Sequence, residues 1–581
     1  MGTVIPFAIY FIAAILILLA KGRLKKVLII LLPALAFVNM IFILPQRSHI
    51  FPFSGFELIL FHADHLNLLM GYIFSLITIL ISVYTININD NKHFVFMFIY
   101  VGSAMGILFS GDFLSFFLFW EIMMVAAIVL ISLSREKPAL RAAFKYLIMH
   151  LTGGGILLAG ILLNYYYTGS MEIKALDSGI PSMLILIGIG LNAAFLPVHT
   201  WLPDAYSKSP VSSAIVLSAF TTKIAIYALA RIFPGTETFI IMGTAMALFG
   251  SVFALFRTDT RQILSYLIIS SIGFILTGIG AGGTEGINAA MLYSWNHILY
   301  NTLLFMCIGA LIHRKGKQEL SALGGLFKTM PFTASGLIIG ALALAGFPLF
   351  NGFISKTFIF NALYDFPVAY LFLKLASFFV TLSMIRFVHN VLFGKSSTDL
   401  REAPKHMILP IMLLVLSIVA GGLVPQLFTI PLSNSPALTF TLTFKGIAET
   451  LMLATLAIPV YWAAQRILKT KSKSFRLYDI DYFYELITKE VLLFSKDPIC
   501  VATSWIDFFR SFIRFVFACL FKSNPEQNLL ARVRLTESAR QKRTQVSVNP
   551  ASIDLLTIGS SLFLTALVVM VFLLFMLFRK I

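Results

Sequence analysis

Stretches of roughly 18 or more apolar residues, long enough for a helix to cross a bilayer, recur from one end of the chain to the other. In hydrocarbon every backbone N–H and C=O needs a partner within its own helix or a closed barrel, so repeated runs of this length dictate a helical bundle. The sequence predicts an all-α polytopic membrane protein of about sixteen transmembrane helices. They lie near 3–20, 26–44, 66–85, 94–109, 112–133, 140–164, 180–197, 210–230, 238–256, 262–280, 288–312, 331–363 (broken), 368–393, 407–425, 440–466 and 552–578. Of the 581 residues only 12% are charged, about half the fraction usual in a soluble domain. The first run is followed by many others and has no small-residue cleavage site, so it reads as a retained span and not a signal peptide.

A net charge of +18 would suggest nucleic acid in a soluble protein. Here the basic residues crowd the loops on one side of the spans, KGRLKK (21–26) among them. In the loops up to residue 406, Arg47, Lys174 and Arg231 alone fall on the other side. The positive-inside rule then predicts a multi-pass protein of the cell inner (plasma) membrane with both termini outside the cytoplasm, and no nucleic-acid partner. Cys307, Cys500 and Cys519 are scattered, with no CxxC and no His/Cys cluster, which argues against metal, iron–sulfur and disulfide roles. There is no Gly-rich phosphate loop and no GxSxG, so no cofactor is expected in this chain.

The organisation reads as N-terminal helices (1–93), two repeats (94–236 and 237–395), additional helices (396–467), a cytoplasmic-side segment (468–551) and a C-terminal anchor (552–581). The fifth segment opens KTKSKSFR and ends in ARVRLTESARQKR. Between them, in TSWIDFFRSFIRFVFACLFK (503–522), Asp507, Arg510, Ser511 and Arg514 share one helical face opposite aromatic and aliphatic residues. That is the pattern of a lateral amphipathic helix lying on the membrane surface or on partner helices.

A charge at the bilayer centre costs about 2.5–3.5 kcal/mol on insertion scales, so each one calls for a partner or a hydrated cavity. This chain places Glu121, Lys145, His150, Lys223, His297, Lys356 and Lys374 within its apolar runs, with Arg386 and His389 nearer a helix end. Several such groups in successive spans suggest an internal polar path along which protons move. AAFLPVHTWLP (193–203) and AGFPLFNGFISK (345–356) each set a proline within an apolar run. Backbone freed by such a break must be buried in protein or line a cavity. Pro197 and Pro348 are 151 residues apart, as are Lys223 and Lys374. The spacing suggests two inverted five-helix repeats, each with a broken helix, with the two lysines as symmetry mates. Near the first break, His199 is a candidate proton shuttle or loop cap, and Asp204 a cap for the next turn.

FLFWEIM, RAAFKYLIMH, FLPVHTWLPDAYSKSPVSSAIVLSAFTTKIAIYALAR, RTDTRQILSYLIISSIGF, NHILYNTLLFMCIGAL, LSALGGLFKTMP and LALAGFPLFNGFISK follow one another in this chain. In that order they resemble the antiporter-like subunits of respiratory complex I, Mrp-type Na+/H+ antiporters and membrane-bound hydrogenases. The resemblance is strong from about 94 to 394 and weaker before. It implies that Glu121 pairs with a lysine of the seventh span, that Lys223 links two half-channels, and that His297 lies on the central polar axis. Lys356 would serve the outlet and the surface helix would brace neighbouring subunits. Two positions depart from the pattern: Asn192 stands where many members carry the seventh-span lysine, and Asn301 where several carry an eleventh-span lysine. Asparagine holds water and hydrogen-bonds but cannot carry a proton as a charge, so Lys145 or Lys223 would have to partner Glu121.

The leading expectation is an ion-translocating subunit, for H+ with Na+/H+ exchange left open, of a complex I-like or hydrogenase-type assembly. Redox chemistry would belong to other membrane subunits. The alternatives are a subunit of a Mrp-type antiporter and a non-conducting scaffold subunit.

Overall fold

The computed structural model describes residues 5–53, 56–394, 401–425 and 444–470. They fall within the unit Met1–Leu477; residues 478–581 lie outside the described residues. Among them lie Cys500, Cys519, the expected surface helix and the expected last span.

The chain runs α1 (Pro6–Leu19), α2 (Gly22–Ile41), β1 (Ser48–Phe53), β2 (Phe56–His62), α3 (His65–Thr85), α4 (Asn91–Phe109), α5 (Phe113–Ser132), α6 (Lys137–Thr168) and α7 (Ile180–Asn192). It continues through α8 (Trp201–Lys208), α9 (Val211–Ile232), α10 (Thr238–Phe256), α11 (Thr260–Ala281), α12 (Gly283–Lys315) and the single turn α13 (Leu326–Thr329). The last described elements are α14 (Pro331–Ala345), α15 (Asn351–Ala362), α16 (Pro367–Phe393), α17 (Lys405–Leu423) and α18 (Phe444–Thr470). Among the described residues 12 helices are long and apolar enough to cross a membrane, and α1, α7 and α14 are shorter apolar helices. The protein is a mostly helical, multi-pass membrane protein.

One expectation needs correction: the fold is not all-α. β1 and β2 form an antiparallel hairpin, Ser48 opposite His62 and Phe53 opposite Phe56, with a register shift between His49 and Ile50. It is fastened to the α4–α5 junction. The Gly111 N–H donates to the Ile59 carbonyl (2.8 Å) and the Ile59 N–H donates to Asp112 Oδ2 (2.7 Å). Pro52 within the first strand, and its position between two spans, make the stretch read as a loop.

A few polar groups are buried within a large apolar core. The most apolar windows of α9 and α11 are wholly buried, and that of α12 nearly so, although these central helices carry Lys223, His297 and Asn301. The outward faces of α1 and α2 show Ile15, Leu18, Val27 and Val38, as lipid contact requires.

A local pattern occurs twice. Asp112 caps α5 through the Ser115 N–H, and Asp259 caps α11 through the N–H groups of Arg261 and Gln262. At each aspartate the backbone also forms an isolated antiparallel β-bridge with the chain beyond the following long helix, Asp112 opposite Glu172 and Asp259 opposite Glu319, through hydrogen bonds of the flanking residues. A short apolar helix ending at a break follows in each case, α7 in the first and, after the turn α13, α14 in the second.

At the first break α7 stops at Asn192 and Ala194 takes a left-handed φ of 57°. The Leu191 carbonyl, which takes the Ala194 N–H at 3.1 Å, also accepts the Trp201 indole N–H at 3.0 Å. At the second, α14 stops at Ala345, and Gly346 and Leu349 have φ of 81° and 74°. There the Ala345 carbonyl accepts Lys356 Nζ at 2.9 Å. A β carbon at 346 would lie 2.7 Å from Lys356 Cδ, so glycine serves both the turn and the lysine. Each break is sealed by a side chain from the segment after it, as buried backbone requires.

Candidate ion pathway

Glu121 projects from α5 toward α6 at Gly154. A β carbon on Gly154 would collide with Glu121 Oε1. That oxygen is buried and has no hydrogen-bond partner among the described residues. Lys145 is not the partner the sequence suggested. Its Nζ lies 2.8 Å from Asp204 Oδ2 and donates to the Thr200 carbonyl at 3.2 Å, pinning α6 to the start of α8. Asp204 therefore serves an ion pair and not the expected cap; Thr200, at the N-cap of α8, makes no side-chain capping bond.

Deeper along α6, the ring of His150 stacks on Tyr146 at 3.6 Å and meets the Trp201 edge at 4.6 Å. His150 Nδ1 lies 3.0 Å from the Tyr146 carbonyl, while Nε2 has no partner among the described residues. Asn192, buried at the end of α7, lies beside His150. His199 is buried edge-on to Phe249, with ring centroids 4.7 Å apart.

At the centre, Lys223 does not reach Glu121. Its Nζ turns back along α9 to donate to the Ser218 carbonyl at 2.6 Å, and Asn301 Nδ2 of α12 donates to the same oxygen at 3.3 Å. One carbonyl thus joins Lys223 to Asn301. His297, one turn earlier on α12, is near enough to Lys223 for their charges to interact. It lies between the rings of Tyr293 and Tyr300, and its Nδ1 has no partner among the described residues.

Beyond His297 the polar line continues through residues that sequence reasoning missed. Asn296 Nδ2 donates to Ser355 Oγ (2.8 Å) and to the Asn351 carbonyl (3.2 Å); Asn351 Nδ2 returns a bond to Asn296 Oδ1 (3.0 Å). This network couples α12 to the start of α15, one residue before Lys356. The signal was present as asparagines inside apolar runs, but neutral amides attract less notice than charges.

Lys356 Nζ lies 5.4 Å from the centroid of the Phe274 ring, and Lys374 Nζ 4.0 Å from that of Phe360. Lys374 forms an ion pair with Glu449 of α18 at 2.6 Å. Glu449 was also missed, although an acid inside the run 440–466 is the same signal that marked Glu121. Arg386 donates to the Arg257 carbonyl at 2.8 Å, and His389 Nδ1 lies 2.9 Å from the Tyr461 hydroxyl.

The model of the family described as NADH:quinone oxidoreductase/Mrp antiporter, TM, matches residues 110–421, more than half of the chain and both breaks. The chain belongs to this family. It is an antiporter-like membrane subunit related to Mrp and complex I-type assemblies. A "Probable K(+)/H(+) antiporter" component of Rhizobium meliloti (strain 1021) is 31% identical over 366 residues, which cover 58% of this chain and 36% of that protein. The chain thus spans about a third of that relative's length. A chain of the Mrp complex from Dietzia sp. DQ12-45-1b superposes with a TM-score of 0.69 at 24% identity, covering 80% of this chain and 98% of that one. A chain of respiratory complex I from Thermus thermophilus gives 0.68 at 18% identity, covering 78% and 100%. The two structural likenesses concern the fold. Asn192 and Asn301 both lie within the matched residues.

Proposed function

We propose that the chain is an ion-translocating subunit, carrying H+, of a complex I-like or hydrogenase-type energy-converting assembly. The observation that carries this reading is a series of polar groups threading spanning helices, half-buried at its two ends, Glu121 and Lys374, and buried between them: His150 with Asn192, Lys223 with Asn301, His297, Asn296 with Asn351 and Ser355, and Lys356. Such groups are costly in lipid and mark ion routes when they line up. Glu121 and His150 share no direct hydrogen bond, nor do His150 and Lys223, so water completes the links in this reading. The unpartnered atoms Glu121 Oε1, His150 Nε2 and His297 Nδ1 are where it would bind.

In this mechanism energy arrives from a partner as a shift of buried charge. A change in the field at Glu121 alters its hold on a proton, His150 and water pass it inward, and Lys223 receives it at the centre. Asn192 and Asn301 orient water without holding charge. The duplicated backbone β-bridges beside the capping aspartates, the two sealed breaks and the equal 151-residue spacings support treating 94–236 and 237–395 as inverted repeats. Partners would be other membrane subunits, with the membrane being the plasma membrane and both termini outside the cytoplasm.

The second reading, a subunit of a gradient-driven cation/proton antiporter, is favoured by the name of the Rhizobium meliloti relative. Vesicles carrying the whole assembly separate the two. Acidification that requires a redox couple and fails with an imposed cation gradient supports the first reading, and the reverse supports the second. Absence of any ion movement attributable to this chain, judged against a deletion strain, would contradict both.

A further inference from the structure

A cavity of about 760 Å³ opens between α14, α15, α16 and α18, and Lys356, Lys374 and Glu449 all line it. Lys356 and Lys374 sit on the faces of Phe274 and Phe360, whose rings meet edge to face at 6.4 Å. Aromatic faces tolerate ammonium groups, so two cations flank one aromatic pair, near enough for their charges to interact. Their partners differ in kind. Lys356 has the neutral Ala345 carbonyl, whereas Lys374 has the Glu449 carboxylate, which also accepts from the Tyr370 hydroxyl at 3.1 Å. Glu449 lies beyond the residues matched by the family model. Its helix meets α16 through this pair and, further along, through Tyr461 and His389.

We propose that Glu449 is a positioning residue for ion release: its pair with Lys374 opens and closes to discharge a proton from Lys356 into this cavity, the outlet of the pathway. The inference rests on the ion-translocating reading above. With the pair closed, the carboxylate compensates Lys374, and Lys356 holds its proton. With the pair open, the uncompensated Lys374 repels the Lys356 ammonium. One N–H bond of Lys356 breaks, the electron pair stays on Nζ, and the proton passes to cavity water and leaves. Re-pairing lets Lys356 accept the next proton from the centre.

The test uses the intact assembly in proteoliposomes, with proton flux read by a pH-sensitive dye and assembly by co-purification. Glu449→Gln should lower flux about fivefold at equal assembly, the factor a partly screened ion pair corresponds to, and Glu449→Asp should restore most of it. Ala454→Trp, which fills the cavity wall without touching a charge, should lower flux too and carries the test if Glu449→Gln fails to assemble. Unchanged flux in an assembled Glu449→Gln or Ala454→Trp complex overturns the proposal. Lys223→Met separates the two levels. If it abolishes flux while Glu449→Gln leaves flux intact, the outlet proposal fails alone; if it leaves flux intact, the ion-translocating reading fails with it.

Discussion

Glu121 and Gly154 show how a single missing side chain positions a charge. The carboxylate fits because α6 has no β carbon at that point. Gly154→Val should therefore displace Glu121 and overpack the α5–α6 contact, costing ~1–3 kcal/mol. Thermal unfolding of the purified complex measures the stability cost, and transport should fall further than stability does, because the displaced group is the one proposed to load protons. Glu121, Lys223, His297 and Lys356 were legible because a charge in an apolar run is conspicuous. Their partners were not. Helical spacing cannot tell that Lys145 reaches Asp204, that Lys223 bends back to Ser218, or that Lys356 seals Ala345. Each of those contacts joins residues in different segments or depends on a side-chain rotamer.

Among the elements, the helices were legible and the hairpin was not. Helix limits follow from apolar length and proline, so the expected spans lie close to the longer helices among α1–α17, whereas the short α8 and α13 answer to no expected span. β1–β2 is short, carries a proline and draws its support from Asp112, a residue 53 positions from its partner Ile59. Asp112 is buried and accepts the N–H of Ile59 and both the N–H and hydroxyl of Ser115. Asp112→Ala should cost about 2–3 kcal/mol, since it removes a cap and leaves buried donors unpaired. Asp259→Ala, which removes only a cap's acceptor for two backbone N–H groups, should cost about 1 kcal/mol. Hydrogen exchange across 48–62 should rise in Asp112→Ala and stay unchanged in Asp259→Ala; equal protection in both would contradict this assignment of the hairpin's anchor.

At the scale of the described molecule, Lys223, His297, Asn296 and Asn301 are buried among the apolar side chains of the central helices, and further aliphatic groups face outward. Composition and run lengths made that membrane architecture legible, and block order made the family legible. The line from α5 to α18 was only partly legible: Asn296, Asn351 and Glu449 stand out as polar residues in apolar runs, but which groups they meet is set by packing between distant spans. The central claim is that this line conducts ions, with Glu121 at its head. The most direct measurement is proton transport by the assembled complex carrying Glu121→Gln, which keeps shape and removes the charge. The account predicts transport about a hundredfold lower or less still, the usual consequence of losing a proton-transfer group, with assembly unchanged; transport at the wild-type rate in a fully assembled Glu121→Gln complex would contradict it.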